Sequence, residues 1–298
     1  DPNTGGGGAT FAAGQNLAPS TDSNATCKLS ITTTGLTITL GGGVTGMTLK
    51  VIFTVQIATS TEKTKTLVPS QTLHIRNEKG NIYGTNYKDL DITLQKADIF
   101  KVRGVFMGTS STDAETPSVT YNNGTGGDVV DEIFQPGEKI IGSNGAIART
   151  VSTTADNTNN VATTKIVYLT TKTFTTGITL TSEQRSFSNI LTTTAVAAGS
   201  TNILNDFFVD TGMRDTFYDI GRISRKAAAA PPTGRLLIVY DYFTHGAGDY
   251  FSVDSYPVGT SATSITYEEI PLYSAQRVDP DTISPTGEYE LRDTIDFR

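Results

Sequence analysis

Alternation of apolar and polar residues with a period of two marks the first fifth of the chain. In residues 47–57 every second residue is apolar, and Thr, Lys or Gln fills most positions between them. The stretch 36–40 alternates in the same way, and the turn sequence GGGVTG separates it from 47–57. Because side chains of a strand point alternately to the two faces of a sheet, the pattern predicts a β-hairpin with one buried face.

Continuous apolar runs predict further strands that are buried on both faces. The longest run is 234–243, which is followed by the Gly-rich loop 244–248 and by the apolar residues of 249–253. This order predicts a second β-hairpin over 234–253. Shorter runs predict strands at 72–76, 91–94 and 99–107.

A weak internal repeat lies in the middle of the chain. The spacing Phe-x-x-Gly-x-x-(Ile/Leu) occurs at Phe134 and again at Phe174. It indicates two β-hairpin units of one small barrel or sandwich. Chance similarity in a chain so rich in Thr and Gly is the alternative interpretation.

Polar stretches on both sides of the repeat predict the domain organisation. We expect a core built from 28–116 and 188–298, with 117–187 inserted as a small module. The predicted fold class is all-β, with an antiparallel β-sandwich core, a small inserted β-hairpin or barrel module and little helix.

Composition supports this fold class and excludes some functions. Only 37% of the 298 residues are apolar and 18% are charged, while 29 are Gly. The net charge of −7 argues against a nucleic-acid surface, which needs clustered Lys and Arg. No run is long enough to span a membrane. The single Cys27 excludes an intrachain disulfide framework.

Residues 1–27 form the predicted N-terminal arm. This segment contains Gly5–Gly8, two Pro and one aromatic residue, Phe11. Such a sequence buries too little apolar surface to offset its ordering entropy. We therefore expect a flexible arm that orders against another copy or another protein, with Phe11 as its apolar anchor.

Aromatic and charged residues concentrate between residues 202 and 254. Within this segment, Arg guanidinium groups and Asp carboxylates alternate at short spacing, and such groups pair with two hydrogen bonds when buried. We expect a buried structural network, not a catalytic site. Its predicted members are Arg214, Asp215, Asp219 and Arg222.

Catalytic and metal-binding motifs are sparse. The sequence contains no phosphate-binding loop, GxSxG, HExxH or dinucleotide fingerprint, so we expect no cofactor. The two histidines are His74, in a predicted strand, and His245, in a loop where it could meet Asp241 or Asp249. The stretch 279–288 weakly resembles a calcium loop but lacks its spacing, and a plain turn is favoured.

Two alternatives involving carbohydrate stay open. Asp241, Asp249 and Asp254 could pair for glycoside hydrolysis, although Asp residues near turns more often cap backbone groups. Tyr250 and Tyr256 could stack on a glycan, although such rings more often pack in a core or at its rim.

Four blocks near the C-terminus resemble a known class of protein. They are RDTFYDIGRISRK (214–226), the stretch 232–257, YEEIP (267–271) and YELRDTIDFR (289–298). Together they resemble a domain of large virion structural proteins from contractile-tailed phages, notably those of cyanobacteria. The pattern in 134–151 resembles small β inserts of the same proteins, and 94–108 resembles the lead-in to that insert. The match covers roughly 94–298.

The resemblance implies a non-enzymatic structural protein of the tail, baseplate or tail fibre, located in the virion. Its expected partners are other copies of itself and other virion proteins, with no nucleic acid and no membrane. The family pattern normally continues beyond residue 298, so we expect a piece of a longer polypeptide. A carbohydrate-binding or adhesive module, with a host surface glycan as ligand, is the alternative.

The N-terminal arm gives the first testable prediction. Deleting residues 1–25 should weaken self-assembly while leaving the fold of 28–298 intact, because the arm reaches a neighbouring subunit. Analytical ultracentrifugation measures assembly, and circular dichroism controls for folding. Normal assembly of the truncated protein would contradict this interpretation.

Overall fold

The chain divides into two units, residues 1–58 and 59–298. The computed structural model describes the backbone of three short strands in the first unit. In the second unit it describes residues 59–78, 85–122, 132–214, 216–274 and 288–298.

The described residues are mostly β-structure, as predicted. No α-helix occurs among them, and their helical turns are short 3₁₀ segments, so no helix in these ranges could cross a membrane. The strands are β1 Ala18–Pro19, β2 Lys28–Thr32, β3 Gly35–Thr39, β4 Lys65–Ile75, β5 Asp91–Ala97, β6 Ile99–Met107, β7 Ser118–Asn122, β8 Lys139–Gly142, β9 Ile147–Asp156, β10 Val161–Tyr168, β11 Thr179–Ser182, β12 Leu191–Ala197, β13 Thr201–Asn202, β14 Phe207–Asp210, β15 Ile220–Arg225, β16 Leu236–His245, β17 Leu272–Ser274 and β18 Glu288–Glu290. The 3₁₀ segments are Leu204–Asp206, Val253–Ser255, Tyr267–Glu269 and Leu291–Asp293.

The first unit contains a three-stranded sheet in the order β1-β2-β3. Strands β2 and β3 form an antiparallel hairpin, with Leu29 opposite Ile38. The predicted partner of β3, residues 47–57, lies outside the described residues. Strand β1 belongs to the predicted arm and pairs in parallel with β2 of its own chain. This pairing weakens the expectation that the arm lies mainly on another molecule; its proposed anchor, Phe11, lies outside the described residues.

Two antiparallel sheets form the sandwich of the second unit. One has the order β13-β6-β16-β4 and the other β14-β15-β5. Apolar side chains from both sheets meet in a single layer, and the exclusion of water from this layer stabilises the fold. Buried members of this layer include Ile92, Leu94, Val105, Phe207, Ile223, Ile238 and Tyr240.

Strand β16 is the centre of the four-stranded sheet. It pairs with β4 on one side and β6 on the other, and its first eight residues are buried. The predicted hairpin over 234–253 is therefore wrong. Residues Tyr250 and Phe251 bridge instead to Glu62 and Asp296. Both edges of β16 are already occupied, so the returning segment has no free edge there.

Strands β7 to β12 form a closed barrel in the order β10-β7-β12-β11-β8-β9. Both copies of the internal repeat lie inside it. Phe134 and Phe174 fill its core, while Gly137 and Gly177 adopt φ angles of 85° and 86° just before β8 and β11. These two strands are hydrogen-bonded to each other. A left-handed φ favours Gly, which explains the Gly of the repeat.

The barrel extends further along the chain than the predicted insert. It runs from Ser118 to Ala197, whereas the insert was placed at 117–187. The added strand β12 is rich in Thr and short of large apolar residues, so its sequence resembles a polar linker. Without β12 the barrel would be open between β7 and β11.

The barrel packs on the outer face of the four-stranded sheet. Val151 of β9 and Val167 of β10 contact a cluster that includes Leu237 and Val239 of β16. Consecutive residues of β16 thus point alternately into the sandwich layer and toward the barrel. One central strand thereby joins the two modules.

A buried carboxylate lies at a bulge in the middle of β16. Asp241 is fully buried, accepts the backbone N–H of Ser70 at 2.7 Å and pairs with Arg103 at 2.6 Å. Ser70 has a left-handed φ of 56°, and its hydroxyl donates to the backbone oxygen of Thr150 in the barrel at 2.6 Å. The bulge therefore links Asp241 to the contact between sheet and barrel.

This arrangement gives a stability prediction with a matched control. Arg103→Met should lower the free energy of unfolding by about 3–5 kcal/mol, since the buried Asp241 carboxylate would lose its ion-pair partner. The control is Lys101→Met on the same strand, because the Lys101–Glu269 pair is more than 30% exposed on both sides. It should cost at most about 1 kcal/mol. Equal losses in urea unfolding would contradict the assigned role of Arg103.

Candidate functional site

A group of ionisable side chains lies at one end of the sandwich. Lys65 begins β4 and His245 ends β16, and the two are direct cross-strand partners. Asp98 is the single residue between β5 and β6, where the chain crosses from one sheet to the other. A left-handed φ of 49° allows this sharp corner. Asp tolerates that conformation better than most residues.

A buried ion pair is the centre of this group. The Nζ of Lys65 lies 2.6 Å from Oδ2 of Asp98, and both side chains have no solvent exposure. The Nε2 of His245 lies 2.7 Å from the same oxygen, and its side chain is 27% exposed. Asp98 therefore meets two basic groups, of which one reaches solvent.

Four aromatic rings surround the Lys65 ammonium. Its Nζ lies 4.4 Å from the ring centre of Tyr218, 4.7 Å from Phe251, 4.9 Å from Tyr256 and 5.5 Å from Phe243. Such distances give favourable cation–π contacts. The rings also replace the water that would otherwise hydrate the charge.

A second ion pair continues the group toward the C-terminal tail. The hydroxyl of Tyr218 accepts a hydrogen bond from Lys65 Nζ at 2.9 Å and donates one to Asp296 at 2.7 Å. Asp296 in turn accepts two hydrogen bonds from the guanidinium of Arg298, both at 2.7 Å. We define the Lys65 cluster as Lys65, Asp98, Tyr218, His245, Asp296 and Arg298.

Burial shapes the acid–base properties of the cluster. Desolvation lowers the pKa of Lys65, although the charge of Asp98 acts against that shift. Desolvation also raises the pKa of the Tyr218 hydroxyl. Burial works to raise the pKa of Asp296, but hydrogen bonds from Arg298 and Tyr218 outweigh it and hold the pKa below its usual value. The cluster thus combines an amine with lowered basicity and a firmly ionised carboxylate.

These groups offer nucleophile and proton-transfer chemistry without a metal. A Lys amine of lowered pKa can attack a carbonyl carbon, and a neighbouring imidazole can move protons. No group of three or more His, Cys, Asp or Glu side chains in the described residues is arranged to hold a metal ion. The stretch 279–288, which weakly resembles a calcium loop, falls almost wholly outside them.

The predicted Arg–Asp network forms around a carboxylate that the prediction omitted. Arg214 donates to both oxygens of Asp210, at 2.9 and 2.8 Å, and Arg222 donates to the same side chain at 3.0 Å. Asp219 lies 3.3 Å from Arg214. Asp215 lies outside the described residues. The network ties Asp210 of β14 to Arg222 of β15.

The expected burial of this network is only partly correct. Arg214 and Asp210 are each 18% exposed, whereas Arg222 is 35% and Asp219 43% exposed. Loss of Arg222 should therefore cost less than loss of a fully buried partner, because water can replace its hydrogen bond.

The candidate glycan contacts lie in different surroundings. Tyr256 is 6% exposed and packs edge-on against Phe243, so its ring face is not available to a glycan. Tyr250 is half-buried and lies against Phe297, with ring centres 6.4 Å apart. The structure does not bring the two rings together on one surface.

The candidate catalytic carboxylates each serve a separate part of the fold. Asp241 pairs with Arg103, as described above, and Asp249 accepts the backbone N–H of Thr61 at 2.8 Å. Asp254 is exposed in the first turn of a 3₁₀ segment. His245, for which Asp241 and Asp249 were the partners considered from the sequence, contacts Asp98 instead. His74 is an exposed residue of β4 and lies in the strand that was predicted over 72–76.

Sequence reasoning missed Lys65 and Asp98. The burial of Lys65 could have been inferred, because it lies two residues before the buried Leu67 at the start of β4 and so points to the same face of the strand. Asp98 gives no pattern of its own. The chemistry of the site is read from its geometry alone, because no family model, no curated protein and no solved structure matches this chain.

Asp210 gives the prediction for the Arg network. Asp210→Asn should lower the free energy of unfolding at neutral pH by about 1–3 kcal/mol, because two Arg side chains lose a charged acceptor. Asp219→Asn is the matched control and should cost less than about 1 kcal/mol. Partial burial acts to raise the pKa of Asp210, but hydrogen bonds from Arg214, Gly212 and Arg222 hold it below 3.8.

The pH dependence of this stability difference follows from the lowered pKa of Asp210. A carboxylate with a lowered folded pKa stabilises the protein above its unfolded pKa, and this contribution is lost as the pH falls through the folded pKa. The difference between wild type and Asp210→Asn should shrink below pH 3.8. A difference independent of pH in thermal unfolding would show that Asp210 acts through packing alone.

Proposed function

We propose that this chain is a non-enzymatic structural component of a phage virion, in the tail, baseplate or tail fibre. Copies assemble through the N-terminal arm and through sheet edges. The observation that carries the proposal is the pairing of charged side chains inside the fold. The Lys65 cluster ties together the start of β4, the corner between β5 and β6, the end of β16 and the C-terminal tail beneath aromatic rings, as suits a structural protein. The resemblance of 94–298 to virion proteins supplies the biological class.

An apolar patch beside the C-terminal tail supports assembly with other proteins. Tyr289, Ile295 and Phe297 are 51%, 62% and 76% exposed. They line one pocket of about 480 Å³ together with Tyr273 and Leu291. Exposed apolar groups that cluster in this way are typical of surfaces that bind another protein. The proposed occupant is a neighbouring virion protein.

Glycan binding is the second candidate, and the same pocket favours it. The rings of Tyr273 and Tyr289 stack with an interplanar angle of 24° and centres 6.4 Å apart. Asp296 and Arg298 also line the pocket and supply polar groups. Aromatic faces beside hydrogen-bonding side chains suit a sugar ring.

Proteomics of purified particles tests the proposal directly. Phage particles from cultures that carry this gene should contain the chain in multiple copies per particle, as measured by quantitative mass spectrometry. An abundant host cytoplasmic protein serves as the control for contamination. Absence of the chain from particles, while it is present in infected cells, would reject the proposal.

The pocket separates the two candidates. Phe297→Ser should weaken self-assembly or binding to virion proteins, because it removes the most exposed apolar ring of the patch. If Tyr289→Ala instead abolishes binding on a glycan array while assembly is unchanged, the glycan-binding function replaces the structural one. Val258→Ser, at another exposed apolar residue, is the control for both assays.

A further inference from the structure

The contact between Lys65 and Asp98 has the geometry of two reactants. Nζ lies 2.6 Å from Oδ2, and the carboxyl carbon is one C–O bond beyond that oxygen. We propose that the Lys65 amine and the Asp98 carboxyl group condense into an intramolecular isopeptide bond. The folded protein would carry this amide as a permanent cross-link. The inference concerns these residues alone and does not depend on the proposed virion role.

The fold holds both groups in place. Lys65 is fixed in a ladder between β4 and β16, opposite His245. The backbone of Asp98 is held at the corner between the sheets, where its carbonyl oxygen accepts the N–H of Phe243 at 3.0 Å. Reactants fixed at contact distance react as if at very high concentration. The left-handed φ of Asp98 is of the kind that concentrates at functional sites.

Burial favours the amide over the ion pair. Two charges with no solvent exposure carry a desolvation cost that condensation removes, because the product is neutral. Oδ1 of Asp98 is buried and has no hydrogen-bond partner among the described residues. An unpaired carboxylate oxygen is costly there, whereas an amide oxygen carries less charge. Desolvation also lowers the pKa of Lys65 and so increases the fraction of nucleophilic neutral amine.

The aromatic rings make the bond durable. Tyr218, Phe243, Phe251 and Tyr256 enclose Nζ within 5.5 Å. Reversal of the condensation needs a water molecule at the carboxyl carbon, and both side chains have no solvent exposure. The cross-link would therefore persist once formed.

The step balances without a co-reactant. The Lys65 nitrogen forms a bond to the carboxyl carbon of Asp98, and the bond between that carbon and Oδ2 breaks. The ammonium loses two protons in total, and both leave on Oδ2 as part of one water molecule. His245 is placed to move them, since its Nε2 contacts Oδ2 at 2.7 Å. Tyr218 orients the amine by accepting a hydrogen bond from Nζ. No group is oxidised or reduced.

The product would join two segments that are 33 residues apart. Lys65 lies in the four-stranded sheet, and Asp98 directly follows strand β5 of the other sheet. A covalent bond between them closes a loop in the unfolded chain, as a disulfide does, and so stabilises the folded state. A chain with a single Cys would gain such a staple without an oxidising environment.

Mass spectrometry of the purified full chain tests the inference. The intact mass should be lower than the sequence mass by one water. Trypsin should release residues 64–76 and 97–101 as one branched peptide, because the modified Lys65 is no longer a cleavage site. The Lys101–Glu269 pair is an internal control at 2.5 Å, since it is open to solvent and should stay uncross-linked.

Substitutions identify the side chains that take part in the cross-link. Lys65→Arg keeps the charge but lacks the reactive amine, so it should show its full sequence mass, whereas Lys101→Arg should keep the deficit of one water. His245→Gln should slow formation of the cross-link by about 100-fold, the usual contribution of general acid–base catalysis. An unchanged rate would remove His245 from the step.

One result overturns the inference as a whole. If the folded wild-type chain has its full sequence mass and yields 66–76 and 97–101 as separate peptides, Lys65 and Asp98 form an ion pair only. This measurement uses only the wild-type chain, so a failure of Lys65→Arg to fold does not affect it.

Discussion

Burial of β16 on both faces is the constraint on which the second unit depends. Its side chains point alternately into the sandwich layer and toward the barrel, so each module covers one face of the same strand. Neither face could remain exposed without a large loss of hydrophobic stabilisation. The barrel therefore contributes to the core of this unit. It does so although it is formed by a single stretch of chain between β6 and β13.

Charged side chains on a strand that is buried on both faces need hydrogen-bonding or ion-pair partners. Asp241, near its middle, is accommodated because Arg103 and a backbone N–H satisfy it. At its end, His245 meets Asp98 and Lys65 beneath aromatic rings. Asp241, Asp98 and Lys65 each pair with a charged side chain from another segment, so these ion pairs connect segments that are distant in sequence.

The sequence allowed prediction of the fold class, of several strands and of the barrel, because periodicity and glycine spacing are local signals. Strand β6 was predicted over its full length, and the repeat at Phe134 and Phe174 identified two equivalent units. Partner choice was not predictable in the same way. The hairpin predicted over 234–253 does not form, because β4 and β6, which are distant in sequence, pair with the two edges of β16. Asp98 was missed because a lone Asp between strands looks like any turn residue.

Hydrogen exchange of the full chain tests most directly whether β16 unites the two modules. If it does, amides of β16, of β9 in the barrel and of β5 in the sandwich should exchange only through one shared opening, with equal free energies. Exchange measured by NMR or by mass spectrometry of peptides resolves the three strands. A barrel whose amides exchange several-fold faster than those of β5, in an opening that leaves β16 protected, would contradict the account.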